Sequence, residues 1–252
     1  MNSKEQLRKT LNHEQPDKIV VDFGSTAVTG IHVQVIAELR KYFGLGNRPV
    51  RVIEPFQMLG EIDDELSEFM GIDVTDVKSK ENIFGTFNNA PFREWRTPWN
   101  QVVLIPESLK IQESEQGDFL IYPQGDATVS PSAKMPASGY FFDAIIRQEP
   151  IVEEELRPED NLEEFSLLSE EDLSYWKKEI DNTSAKGKGN VVAMGGTALG
   201  DIALVPAMNL KNPKGIRDIS EWYMSTLMRT DYIKKVFEKQ VETAIENLAR
   251  FY

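Results

Sequence analysis

Apolar residues recur along the chain in two rhythms, and each rhythm predicts a kind of element. Ser3 and Gln6 stand at capping-box spacing, which predicts a short helix from about Lys4 to Asn12. Pro16 and Asp17 break it. Lys18-Ile19-Val20-Val21-Asp22-Phe23-Gly24 is a β-branched run ending on glycine, read as a buried strand that feeds the loop Gly24-Ser25-Thr26. Between about Thr29 and Phe43, Val35, Ile36, Leu39 and Phe43 share one helical face, and Gly44 is placed to stop the helix.

Shorter units follow. Pro49 to Ile53 reads as a strand. Ile62, Leu66, Phe69 and Met70 form the apolar face of a helix with acids in its first turn, closed by Gly71. Asp73 to Val77 is a third strand. Strands alternating with helices at this spacing predict parallel βαβ units. From Ser79 to Tyr140 the helical rhythm is lost. Leu109, Ile111, Phe119 and Ile121 alternate with polar residues around Gly117, a hairpin pattern, and about 99–136 is expected to be an antiparallel β excursion. Asn190 to Thr197 is a strand with a glycine turn. The stripe Ile233, Phe237, Val241, Ala244, Ile245 and Leu248 predicts a helix from about Asp231 onward.

Composition narrows the function classes. In 252 residues, 41 acidic side chains face 28 basic ones, for a net charge of −13. That field repels phosphate surfaces, so no nucleic-acid partner and no anionic membrane is expected. The hydrophobic share of 40% is enough for a buried core. The polar N-terminus has no signal-peptide core, and no apolar run is long enough to span a bilayer, so a cytoplasmic location is expected. The chain has no cysteine and two histidines, His13 and His32, which excludes a thiolate metal site and a cysteine nucleophile within it. The segment 149–164 carries eight acids, two prolines and one arginine and reads as a solvated connection.

Candidate chemistry lies after the strands, because ligands of parallel α/β folds gather at their carboxyl ends. Those positions hold Asp22, Ser25 and Thr26, then Glu54 and Gln57, then Asp76 and Lys78, then Gly195, Gly196 and Thr197. Neither a Gly-x-Gly-x-x-Gly fingerprint nor a phosphate loop is present, so a dinucleotide or nucleotide triphosphate is not expected. Trp99 and Tyr140 stand in an aromatic concentration that either walls a ligand or seals the excursion. Asp22, Ser25, Thr26, Trp99, Tyr140, Gly195, Gly196 and Thr197 are the candidate substrate-binding residues, with no metal ligand and no catalytic residue singled out.

The order of segments resembles one known family. Leu11 to Asp22 (LNHEQPDKIVVD), Leu66 to Asp73 (LSEFMGID), Trp95 to Trp99 (WRTPW) and Met135 to Asp143 (MPASGYFFD) resemble the uroporphyrinogen decarboxylase superfamily, and the Val191 to Thr197 turn takes the place of its glycine-rich strand end. The resemblance implies a (βα)8 TIM-type barrel and is closest to the methyltransferase-type branch. Four barrel-type strands, near Val20, Val52, Val74 and Val192, imply an incomplete barrel with an inserted β excursion, forming one domain over 1–252 that corresponds to the N-terminal part of the fold. The family's arginine-rich stretch after the first strand is absent here, which disfavours a polycarboxylate porphyrinogen. What the resemblance implies instead is methyl transfer between a small methylated compound and a corrinoid carrier or a thiol. Zinc and a corrinoid partner would belong to the full-length protein, with no cofactor in this chain. A decarboxylase is the alternative activity, and a non-catalytic barrel fragment acting through a partner is the alternative from another class.

A partial barrel exposes sheet edges and an apolar helix face. Such a chain is expected to dimerise, to aggregate or to need a partner, a homodimer being one form of this. Analytical ultracentrifugation should show a species larger than one chain, whereas a stable compact monomer would contradict the expectation.

Overall fold

The computed structural model describes residues 1–89, 91–163, 165–193 and 201–252. In chain order the elements are α1 (Ser3–Leu11), α2 (Val33–Tyr42), β1 (Val50–Glu54), β2 (Leu59–Gly60), α3 (Asp64–Phe69), β3 (Val74–Val77), β4 (Phe92–Arg96) and β5 (Val102–Pro106). Then come β6 (Ile111–Glu113), β7 (Phe119–Ile121), β8 (Ala133–Met135), β9 (Asp143–Ala144), α4 (Glu170–Ser184), β10 (Gly189–Val192), α5 (Ile219–Met228) and α6 (Thr230–Phe251). The protein is mixed α/β, with three separate sheets among the described residues. The chain divides into two compact units, one of Met1–Asn82, Phe87–Glu107 and Ser174–Ala193, the other of Ile83–Thr86, Ser108–Leu173 and Met194–Tyr252.

The first unit holds the parallel pairs. Strand β1 runs parallel to β5, with Val50 opposite Val103, and β5 is antiparallel to β4 over Phe92–Arg96. Strand β3 runs parallel to β10 in the register Val74 opposite Gly189. Val50, Val52, Val103 and Ile105 are buried on this sheet, with Val33 and Ile36 of α2 also in the core. Gly189 lets α1 pack close to β10, since a Cβ there would stand 2.2 Å from Leu7 Cδ2 and that side chain would have to shift.

Several sequence expectations shift. Helix α1 is capped by Asn2, whose side chain accepts from the Glu5 amide while Glu5 reaches back, so the box sits one residue before the expected Ser3–Gln6 pair. Ser3 is free of the cap and donates to Asp73 instead, at 2.7 Å. The Ile19–Asp22 run is not a strand. Val21 spends its amide on the Asp73 carboxylate (3.1 Å) and its carbonyl on the Asp73 amide (2.9 Å), so one residue takes both of its bonds and no ladder propagates. Helix α2 starts at Val33, later than Thr29, because His32 is its N-cap and accepts from the Gln34 amide through Nδ1. Strand β5 falls inside the expected antiparallel excursion but belongs to the sheet of β1.

The rest of the excursion is the second unit's meander, β6-β7-β8-β9, with all pairs antiparallel. Gly117 turns the first hairpin at φ +83°, as its place in the sequence demands. The acidic segment is less solvated than expected. Asn161 is buried and both donates to the Ile216 carbonyl and accepts from its amide. Glu153 pairs with Arg229 and Glu159 with Lys239 of α6. Helix α6 is also rotated from the expected stripe. Ile233, Val236, Gln240 and Ala244 face inward, and Val241, Ile245 and Leu248 are partly exposed. Buried Asn247 sets that rotation by bonding the Leu168 amide and the Ser166 carbonyl.

Asp73 is the most connected buried acid of the first unit. Its carboxylate, 1% exposed, accepts from Ser3, from the Val21 amide and from Lys18 at 3.0 Å. Burial pushes its pKa up, but bonds from Ser3, Lys18 and Val21 outweigh this and hold it below the usual carboxylate range. Replacing it strands buried donors. Asp73→Ala is expected to cost about 2–4 kcal/mol in urea unfolding at pH 7. Because the folded pKa is depressed, the wild-type advantage is present above the unfolded pKa and fades as pH falls through the folded one. An Asp73→Ala curve that matches wild type at pH 7 would refute this role.

Candidate functional site

A cleft of about 300 Å³ opens in the first unit alongside β3. Strand β3 supplies Thr75 and Asp76 and the following Lys78. Strand β1 supplies Ile53, the turn after the Ile19–Asp22 run supplies Gly24 and Ser25, and α4 contributes Glu179 and Thr183. Gly24 has φ +80°, and a Cβ there would press on Ile62 Cδ1 at 3.0 Å, so both backbone shape and space call for glycine.

Asp76 is the most perturbed group in the cleft. Burial pushes its carboxyl up to about 6, and nearby Lys78 only partly offsets this. Lys78 is held elsewhere, with Nζ 2.7 Å from Glu61 Oε1. Beside it, Tyr175 donates to the Lys78 carbonyl and accepts from the Asn89 amide, each at 3.0 Å. Tyr175 is raised first by burial, then by the charges of Glu179 and Asp76. At the far end of the cleft, Lys188 donates to the hydroxyl of buried Ser67, and burial lowers its pKa. A carboxyl that keeps a proton to about pH 6 within a small cleft is suited to donate that proton to a bound molecule.

The expected site residues divide. Ser25 lines the cleft but is 1% exposed and donates its hydroxyl to Asp22 Oδ2 at 2.6 Å. Asp22 also accepts from the Ser25 amide and from Thr29, so its carboxylate locks the turn. Thr26 starts the short turn Ala27–Thr29 and makes no capping bond with its side chain. Trp99 donates to Gln101 at 2.9 Å and its ring lies 5.3 Å from that of His32, while Gln101 reaches the Val33 carbonyl. Trp99 thus packs on the start of α2. Tyr140 is about half exposed and lies in the second unit. Gly195, Gly196 and Thr197 lie outside the described residues. Glu54, another strand-end position, accepts from the Phe56 and Gln57 amides and is raised by burial.

Asp76 and Lys78 stand at a strand end in the sequence, yet strand-end position alone does not single them out as binders. Their signal was position alone. The raised carboxyl comes from burial in the folded unit, which no local pattern announces.

Among the described residues, no group of three histidine or carboxylate side chains could hold a metal ion, and no helix is long and apolar enough to cross a membrane. Comparison with family models, with curated proteins and with solved structures finds no match to this chain.

Asp76 gives a direct stability signature. An unfolded aspartate loses its proton near 3.9, whereas the folded one keeps it to about 6. The native state therefore binds more protons between those values, and stability falls as pH rises through that window. Asp76→Asn removes the cost of the buried charge and should gain about 2–3 kcal/mol over wild type at pH 7.5, and nothing below pH 4. Urea unfolding at both pH values checks this, and a pH-independent difference would contradict it.

Proposed function

We propose that this chain is part of a uroporphyrinogen-decarboxylase-like α/β barrel protein of the methyltransferase type, and that the cleft beside β3 takes a small methylated compound. Asp76 carries the reading. Breaking a bond between methyl and oxygen or nitrogen leaves a strongly basic atom, and a neutral carboxylic acid is the group that protonates it. The methyl group passes to the acceptor, a corrinoid carrier or a thiol supplied by a partner. The leaving atom takes the Asp76 proton, and solvent then reprotonates the carboxylate.

The remaining residues support that role. Lys78 is engaged by Glu61, at 2.7 Å, and so does not capture Asp76 as an ion pair. Ser25 and Gly24 form one wall, and the Asp22 carboxylate fixes their turn. The described residues do not fit a zinc site: the chain has no cysteine and no cluster of three ligating side chains stands among them.

A second reading has its own observation. Lys186 and Lys188 border the same cleft, which suits a substrate carboxylate. In a decarboxylation, loss of carbon dioxide leaves a carbanion, and the Asp76 proton would complete the product.

Incubation with methylamines or methyl ethers and free cob(I)alamin, followed by the absorbance of the methylated corrinoid, tests the first reading. Turnover is expected, with Asp76→Asn lowering it by about 10²-fold or more. The wild-type rate should fall above about pH 6 as the acid loses its proton. Carbon dioxide release from a carboxylate, without methyl transfer, would replace this reading with the second.

A further inference from the structure

A second cavity, of about 370 Å³, lies in the first unit and contains an excess of cations. Arg40, Arg48, Arg51 and Lys186 line it against Glu61, Asp63 and Asp64, four positive groups to three negative. In a chain whose net charge is −13, this gathers four cations in one place, with a further carboxylate, Glu65, reaching Arg40 from outside the lining.

These cations differ in how far their donors are already committed. Arg40 is nearly buried and fully engaged: it pairs with Asp63, donates from Nε and Nη2 to the Gly46 carbonyl at 3.3 and 3.1 Å, and reaches Glu65 at 3.4 Å. It forms the floor. Arg48 and Arg51 are about half exposed and use far less of their capacity. Arg48 gives Nη2 to Asp63 at 2.7 Å, and Arg51 brings Nη1 only to 3.5 Å from Glu61. Each guanidinium carries five N–H donors. The Arg51 guanidinium also lies 5.2 Å above the Phe92 ring, a cation–π contact that limits where it can swing. Lys186, at 2.7 Å from Asp64, keeps further donors on its ammonium. The carboxylates leave several of these N–H donors unused. Asp63 already accepts from Arg40, Arg48 and the Leu66 amide, and these bonds hold its pKa low against the opposing effect of burial.

We propose that this cavity is an oxyanion site that binds a phosphate group, held in the forks of Arg48 and Arg51 with Lys186 as a third donor. Planar guanidinium forks match the spaced oxygens of phosphate, and a dianion with several acceptors meets a surplus that a single carboxylate leaves partly unmet. The ligand class is a small phosphorylated compound or free phosphate. The site does not depend on the methyl-transfer reading.

Isothermal titration calorimetry with inorganic phosphate at pH 7.5, with chloride balancing ionic strength, tests the proposal. Saturable binding is expected, with acetate at least tenfold weaker. The double variant Arg48→Gln/Arg51→Gln should bind phosphate at least tenfold more weakly, and Lys235→Gln, which removes a surface charge on α6 of the second unit, should bind as wild type does. Arg51→Lys keeps the charge and loses the fork. It should weaken binding several-fold, and it decides the matter if the double variant does not fold. A phosphorylated sugar binding more tightly than inorganic phosphate would identify the group as part of a larger ligand, and the reverse would identify free phosphate. No saturable phosphate heat, acetate binding equal to phosphate, or an Arg51→Lys affinity equal to wild type would overturn the proposal.

Discussion

The Asp73 carboxylate is the constraint on which the first unit depends. It draws together Ser3 of α1, Lys18, the Val21 amide and the start of β3, while its own carbonyl accepts from the Gly189 amide at the foot of β10. Segments far apart in sequence meet at one buried charge. A buried anion is tolerated only where donors surround it, so the side chain dictates where each segment lies. It also explains why an apolar run made for a strand does not form one. The amide and the carbonyl of Val21 are both taken by Asp73 before a ladder can begin.

Three residues further along, Asp76 has the opposite environment. Burial is comparable in kind, but no side-chain hydrogen bond to Asp76 stands among the described residues, and Lys78, the cation acting on it, is engaged by Glu61. One short stretch of chain, Asp73 and the strand after it, therefore carries an aspartate fixed as an anion and another that keeps its proton to about pH 6. The first organises the scaffold, and the second faces the cleft. The same economy appears around α3, where Asp63 caps the helix and holds Arg40, leaving Arg48 and Arg51 with unused donors at the neighbouring cavity.

Much of the architecture was legible in the sequence. Strands β1, β3 and β10, the hairpin at Gly117 and the last helix follow from alternation, glycine placement and helical spacing. What could not be read was set by polar side chains acting over long separations. Asp73 turned a strand into an irregular segment, His32 delayed α2, and Asn247 rotated α6 so that part of its apolar stripe stayed exposed. The site was legible in part. Ser25 does line the cleft, yet Asp22 and Trp99 are occupied in local structure. Asp76 was visible only as a strand-end position, because its perturbation comes from burial that only the folded chain supplies.

The account turns on the protonation of Asp76 in the cleft. Carbon-13 NMR of the aspartate side-chain carboxyls, titrated with pH and assigned by comparison with Asp76→Asn, measures it directly. The account predicts a midpoint at about 6 for Asp76. A midpoint near 4, the value of an aspartate in water, would contradict it.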